Sequence, residues 1–359
     1  MKKYLYLIPV AALAMTACTN ESDEFVGSQT SREISFMPVN QMATRAAVDG
    51  TAFPTDLNMK VTAYQVEATG GSAGVYFDAT TFMYQCQGGS YTGTGSYWGG
   101  TTARYWPLTP AYINFLAIAN ANADNATGVT WGTYKADRVE IVMSDNASAQ
   151  RDLMYAIGNG AVTQSGNTLT FPDKVDMQFK HAQAWIDFKV KAKTDVETAI
   201  TVNKITLNGA SYSGTYTVTH TNYNSKTSQS VAGAWTALGD KGKNSGGTGT
   251  SVVGEVASEA TAVEVPGWSA AALTTDFVTV GNGLMIVPDD ASGTSDFIDF
   301  TINYTYDGKT YDYTYRPEIR NVDQKKHYIY EITFQLHEIF INPSVEDWAD
   351  QTATELTIQ

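Results

Sequence analysis

The chain has 359 residues and a formal net charge of −14, from 37 acidic and 23 basic side chains. That balance argues against nucleic acid as a partner, because neutralising phosphates takes clustered lysine and arginine. At this length the chain can form two ordinary domains.

The N-terminus reads as an export signal. Met1-Lys2-Lys3 is basic, residues 4–15 form an apolar run of about a dozen, and the small residues Thr16 and Ala17 precede Cys18. This is the pattern of a secretory signal peptide over residues 1–17. The run is shorter than the roughly 20 residues that span a bilayer, so it is expected to be removed. Met15-Thr16-Ala17-Cys18 resembles a bacterial lipobox, with methionine where leucine is usual, which makes Cys18 the expected lipidation site. The polar, acidic stretch 19–24 is similar to the tether by which some Bacteroidetes lipoproteins are routed to the outer face of the outer membrane. Cys86 is then the one thiol left in the body, so no intrachain disulfide can form there. It reads as a small buried hydrophobe, not as a nucleophile.

Beyond the tether the apolar residues recur with period two in segments rich in Val, Ile, Thr, Phe and Tyr, which predicts half-buried strands and an all-β body. Candidate strands lie at 59–66, 112–118, 139–143 and 175–179, with glycine-rich loops at 70–74 and 88–100. In 184–191, Ile186, Phe188 and Val190 point to a core, while Asp187, Lys189 and Lys191 point to water. The stretch 219–252 is rich in Ser, Thr, Gly, Asn and Lys, and reads as a long surface loop. A hairpin is expected over 296–315 with Asp307-Gly308 at its tip, because that dipeptide accepts the positive φ of a type I′ turn. A long central strand is expected over 328–336. Helices, if any, should be short and confined to segments such as 145–151, and a boundary near Lys180 divides the body into two unequal sandwiches.

Several segments, in order, resemble the fimbrillin or type V pilin proteins of Bacteroidetes. They are the lipobox, Glu33-Ile34-Ser35-Phe36, Thr44-Arg45-Ala46, Arg104-Tyr105-Trp106-Pro107, Asp152-Leu153-Met154-Tyr155-Ala156, Met177-Gln178-Phe179-Lys180-His181-Ala182, Ile205-Thr206-Leu207-Asn208-Gly209 and Val345-Glu346-Asp347-Trp348. The resemblance implies two tandem transthyretin-like Greek-key β-sandwiches, over 46–180 and 181–359, after a lipidated leader of 18–45. It further implies a structural subunit of a surface fimbria that meets other pilin subunits by strand addition, with the lipid on Cys18 as its only attached group. In that scheme an arginine-specific protease cuts between Arg45 and Ala46. The leader strand carrying Ile34 and Phe36 then leaves its slot, and a strand from another subunit replaces it. The alternation of Leu356 and Ile358 with Glu355 and Thr357 gives the tail 352–359 the pattern of such a donor, although it could equally close its own domain as an edge strand. Arg45 could also stay uncut in an ordinary linker.

Catalytic patterns fail. Gly70, Ser72 and Gly74 fit G-x-S-x-G, but no strand-to-helix turn surrounds them. His337-Glu338 lacks a second histidine at 341, and His181, His220, His327 and His337 show no ligand spacing. Asp289 and Asp290 read as solvated acids in a turn, not as a calcium site. No metal, cofactor or enzymatic activity is expected. The alternative function is a monomeric surface lipoprotein or tip adhesin for glycan or host protein, with Tyr91, Tyr97 and Trp98 as an aromatic platform or simply as cover for a sheet edge.

Overall fold

The computed structural model describes residues 32–38, 58–66, 74–84, 98–100, 102–119, 129–135, 137–143, 150–196, 199–236, 262–288, 299–315, 322–335 and 338–347. Among them every regular element is a strand. The first eleven are β1 (Ser35–Pro38), β2 (Met59–Val66), β3 (Gly74–Tyr84), β4 (Trp98–Gly100), β5 (Ala111–Ala119), β6 (Val129–Lys135), β7 (Arg138–Met143), β8 (Met154–Ser165), β9 (Thr168–Thr170), β10 (Val175–Met177) and β11 (Lys180–His181). Then follow β12 (Ala184–Ala192), β13 (Ile200–Asn208), β14 (Gly214–Thr221), β15 (Ser230–Thr236), β16 (Val263–Glu264) and β17 (Ala271–Ala272). The last are β18 (Val278–Thr279), β19 (Leu284–Ile286), β20 (Asp299–Tyr306), β21 (Lys309–Tyr315), β22 (Lys326–Gln335) and β23 (Glu338–Asp347).

The largest sheet runs β10-β1-β4-β3-β2-β5-β8-β11, with β9 on β8. It curls so that β10 also lies against β8. Gly158 makes room for this, since a Cβ there would stand 2.8 Å from the Asp176 carbonyl oxygen. The concave side encloses Ile34, Phe36, Val61, Phe82, Ile113, Phe115 and Phe179. The other side packs on a second sheet, β15-β14-β7-β6, through Leu116, Ile118, Ile141, Tyr155, Tyr216 and Trp235. Strand β5 is therefore buried on both faces, which accounts for the nearly unbroken apolar run Ile113 to Ala119 save Asn114.

The remaining strands form a sandwich of two sheets, β18-β12-β22-β23 with β19 on β12, and β16-β13-β20-β21 with β17 on β13. Its core is built around Phe188, Phe300, Ile302, Tyr330, Ile332 and Phe334. Strands β12 and β22 run parallel through eight aligned pairs, from Trp185 with His327 to Ala192 with Phe334. The expected hairpin is present as β20–β21, with Asp307 at φ 48° and Gly308 at φ 71°. The expected central strand is β22, flanked by β12 and β23.

Three expectations are corrected. The stretch after Thr219 is not all loop: β14 continues to Thr221, and β15 pairs with it over seven residues and buries Trp235. Its threonines and serine sit on the outward face, and Gly233 leaves room on the inner face for the Tyr216 ring, which together hid the strand pattern. Second, Asp187 does not face water; it is buried, and its Oδ1 accepts the Phe188 amide at 2.9 Å. Third, the strand at 175–179 ends at Met177, although Phe179 beyond it is buried. In addition, β14 lies C-terminal to position 180 and yet pairs with β7 through six residues, so one hairpin crosses the expected boundary. Residues 144–149, where a short helix was allowed, lie outside the described residues, as do Cys86, Leu336 and His337.

Candidate functional site

The segment 32–38 is held on both sides. Along one edge the Ile34 amide donates to the Arg104 carbonyl at 2.6 Å, the Trp106 amide donates to the Arg32 carbonyl at 2.8 Å, and Ser35 and Phe36 pair antiparallel with Gly99 and Trp98. Along the other edge Phe36, Met37 and Pro38 pair parallel with Val175, Asp176 and Met177. The Arg32 guanidinium pairs with Asp173, and the Ser35 hydroxyl donates to the Asp173 carbonyl at 3.2 Å. Alternation then decides what goes inside: Ile34 and Phe36 are fully buried, while Glu33 and Ser35 stay part exposed. The Phe36 ring meets Phe82 and Phe115 edge-on, at centroid distances of 4.7 and 5.1 Å. Burial pushes the Glu33 carboxyl above its ordinary range.

Of the other residues singled out in the sequence, Cys18, Arg45, Ala46, Trp348, Leu356 and Ile358 lie outside the described residues, and so do Tyr91, Tyr97, Asp289 and Asp290. Trp98 is placed in β4, opposite Phe36 and Tyr84.

Two histidine–carboxylate arrangements escaped the sequence reading, because their members come from strands far apart in the chain. His181 Nδ1 lies 3.0 Å from both carboxylate oxygens of Asp152, and both residues are sealed from solvent. No substrate could reach that imidazole. His327 stacks flat on Trp185, with ring centroids 3.8 Å apart, and its Nδ1 lies 3.0 Å from Glu346 Oε1. Its Nε2 is 3.8 Å from Asp187 Oδ2, so the imidazole ties together β12, β22 and β23. Among the described residues no three or more His, Cys, Asp or Glu side chains are grouped to hold a metal ion. No helix among them is long and apolar enough to cross a membrane.

The profile of the Fimbrillin-like family matches residues 44–348. The chain belongs to that family. Family membership makes it a fimbrial structural protein rather than an enzyme, one that works with other fimbrial components at the cell surface. A fimbrial protein from Bacteroides vulgatus is 15% identical, with 89% of this chain and 100% of that chain covered and a TM-score of 0.46. The tip fimbrial protein Mfa3 from Porphyromonas gingivalis is 14% identical, with coverages of 88% and 100% and a TM-score of 0.37. The fimbrial anchor protein Mfa2 from the same organism is 10% identical, with coverages of 89% and 98% and a TM-score of 0.30. A comparison with curated proteins found no match.

Proposed function

We propose that the chain is exported as a lipoprotein through Cys18, matured by an arginine-specific cut between Arg45 and Ala46, and assembled into a fimbria when a strand of another copy takes the place of β1. The observation that supports this reading most is the seat of residues 32–38, between two strands and with Ile34 and Phe36 buried to completion. Cutting the chain after Arg45 would leave that segment attached to its seat by non-covalent contacts alone. Its departure would bare the Phe82 and Phe115 rings and two backbone edges, a state that pairs readily with any suitable strand. The two buried side chains contribute about 1.5 to 3 kcal/mol each, and each backbone hydrogen bond about 0.5 to 1.5 kcal/mol net, so only a strand with matching side chains can compete. Leu356 and Ile358 in the tail have the same two-residue spacing as Ile34 and Phe36. An incoming strand that keeps the present pairing runs parallel to β10 and antiparallel to β4. The family match, from residue 44 to 348, leaves the 32–38 segment outside it, which fits a removable leader.

The decisive experiment treats the folded precursor with an arginine-specific protease, sequences the new N-terminus, and follows mass by light scattering after size exclusion. The expected product starts at Ala46 and forms oligomers, whereas cleaved protein lacking 352–359, or carrying Leu356→Asp with Ile358→Asp, stays monomeric. Cleaved wild type that remains monomeric at high concentration, or a tail deletion that oligomerises equally well, would overturn the scheme. Lipidation is tested separately: palmitate should label the wild type and not Cys18→Ala, and equal labelling of both would remove the anchor.

A further inference from the structure

The outer face of the β12–β22–β23 sheet carries a cavity of about 490 Å³, at the end away from Trp185 and His327. Strand register places its floor: Lys191 pairs with Thr333 and Thr333 with Phe340, so a cation, a hydroxyl and a ring stand in one row across three strands. Lys193 completes it from the next row, where Nζ donates to Gln335 Oε1 at 2.7 Å and lies 5.5 Å from the centroid of Phe340. The Ala192 amide donates to the Thr274 carbonyl at 2.8 Å, which fixes the following turn beside the strand and brings Thr275 to the wall, with Thr194 from the end of β12. The Lys191 ammonium is steadied 4.1 Å from the ring centroid of Phe277.

Two features of this cavity point to a ligand. Among the described residues its lining contains two lysines, three threonines and an aromatic ring but no carboxylate, in a chain where acids outnumber bases 37 to 23. Phe340, 48% exposed, also presents its ring beside those lysines as an apolar platform open to solvent. The size is within the roughly 300 to 1,000 Å³ of small-molecule sites. A ligand that uses every part of the lining has a carboxylate for the ammonium groups, several hydroxyls for the threonines, and a compact body with C–H edges to lie on the ring.

We propose that this cavity binds an acidic saccharide, through a uronic or sialic acid residue. An acidic peptide would engage the two lysines but leave the threonine hydroxyls and the ring without partners. The site is independent of strand exchange, so its test uses the full-length, uncleaved protein, and a failure here leaves the assembly scheme untouched.

The test is titration calorimetry with trigalacturonate, sialyllactose, lactose and hexaglutamate. At least one acidic saccharide should bind at least about tenfold more tightly than lactose, as a single charge-assisted hydrogen bond can provide, and binding should weaken as salt screens the lysines. K191Q/K193Q should lose about tenfold or more in affinity for that saccharide, and F340S should weaken it while circular dichroism and melting stay as in the wild type. The proposal fails if neither acidic saccharide outcompetes lactose or if both variants bind like the wild type. It fails equally if hexaglutamate binds as tightly as the saccharides, which would make the site a peptide contact.

Discussion

Gly158 and Gly308 are glycines for different reasons, and substitution separates them. At Gly308 the backbone has φ 71° and nothing lies within 4 Å of an added Cβ, so alanine meets only the left-handed conformation, at about 1 kcal/mol. At Gly158 a Cβ would press on the Asp176 carbonyl, the Met177 sulfur and the Val175 side chain, each 2.8 Å away. Gly158→Ala must therefore push β10 outward, at about 1 to 3 kcal/mol. Because β10 forms one wall of the seat of β1, the same substitution should speed the exchange of the amides of 34–37, while Gly308→Ala leaves them unchanged. Hydrogen exchange read by mass spectrometry, together with urea midpoints, checks both halves. The Asp307-Gly308 tip was legible because its chemistry is local to two residues. The need for glycine at 158 was not, since it depends on a strand 17 residues later in the chain that folds back over it.

At the scale of elements, the β14–β15 hairpin shows why composition misleads. Its buried positions, Tyr216, Val218, His220 and Trp235, alternate properly, but threonine, serine and glycine between them imitate a loop. Its tip is clamped to β5 by side chains that nothing local along the chain connects. Asn114 donates to the carbonyls of Tyr223 and Ser225 at 2.6 and 2.8 Å, and Gln229 donates to Asn114 and meets His220 Nε2 at 3.0 Å. Burial holds the His220 imidazole below its ordinary pKa of 6.5, with the Gln229 hydrogen bond opposing in part. A base with a depressed pKa stabilises the fold in full above 6.5, and loses that contribution as pH falls through the folded value. Acidification should thus loosen the hairpin tip first. Proton NMR should show His220 titrating below 6.5, and the acid loss of stability should shrink in His220→Gln. A titration at or above 6.5 would contradict the clamp. The β1 segment, by contrast, was readable: Ile34 and Phe36 are buried, as their alternation with Glu33 and Ser35 indicated.

At the scale of the whole molecule, the two halves of the chain are interleaved by that same hairpin. A fragment ending at Lys180 keeps β6 and β7 but lacks β14 and β15, so Leu116, Ile118, Val139, Ile141 and Met143 lose Tyr216, Val218 and Trp235 as cover. Such a fragment should bind an apolar dye and unfold with a broad transition, whereas the full chain does neither. A sharp, dye-free transition in the fragment would show that the first half folds alone. The sequence offered a boundary because strand signals resume with a new pattern after 180. It could not show the crossing, since hydrogen bonds between β7 and β14 join residues more than 70 positions apart and leave no local trace.

The ten-residue register between β22 and β23 has a mechanical consequence. Strand β23 ends at Asp347, beside Lys326, where its antiparallel partner begins. Tension applied at Asp347 along the strand axis loads all ten pairings together in shear, since none can part before the others slide. The Asp347–Lys326 ion pair and the Glu346 contact with His327 sit at the point where such a force enters. A chain pulled perpendicular to the strand would instead peel one pair at a time. The protein is therefore stiff along one direction and yielding across it, like a zip that resists a lengthwise tug and opens from its end.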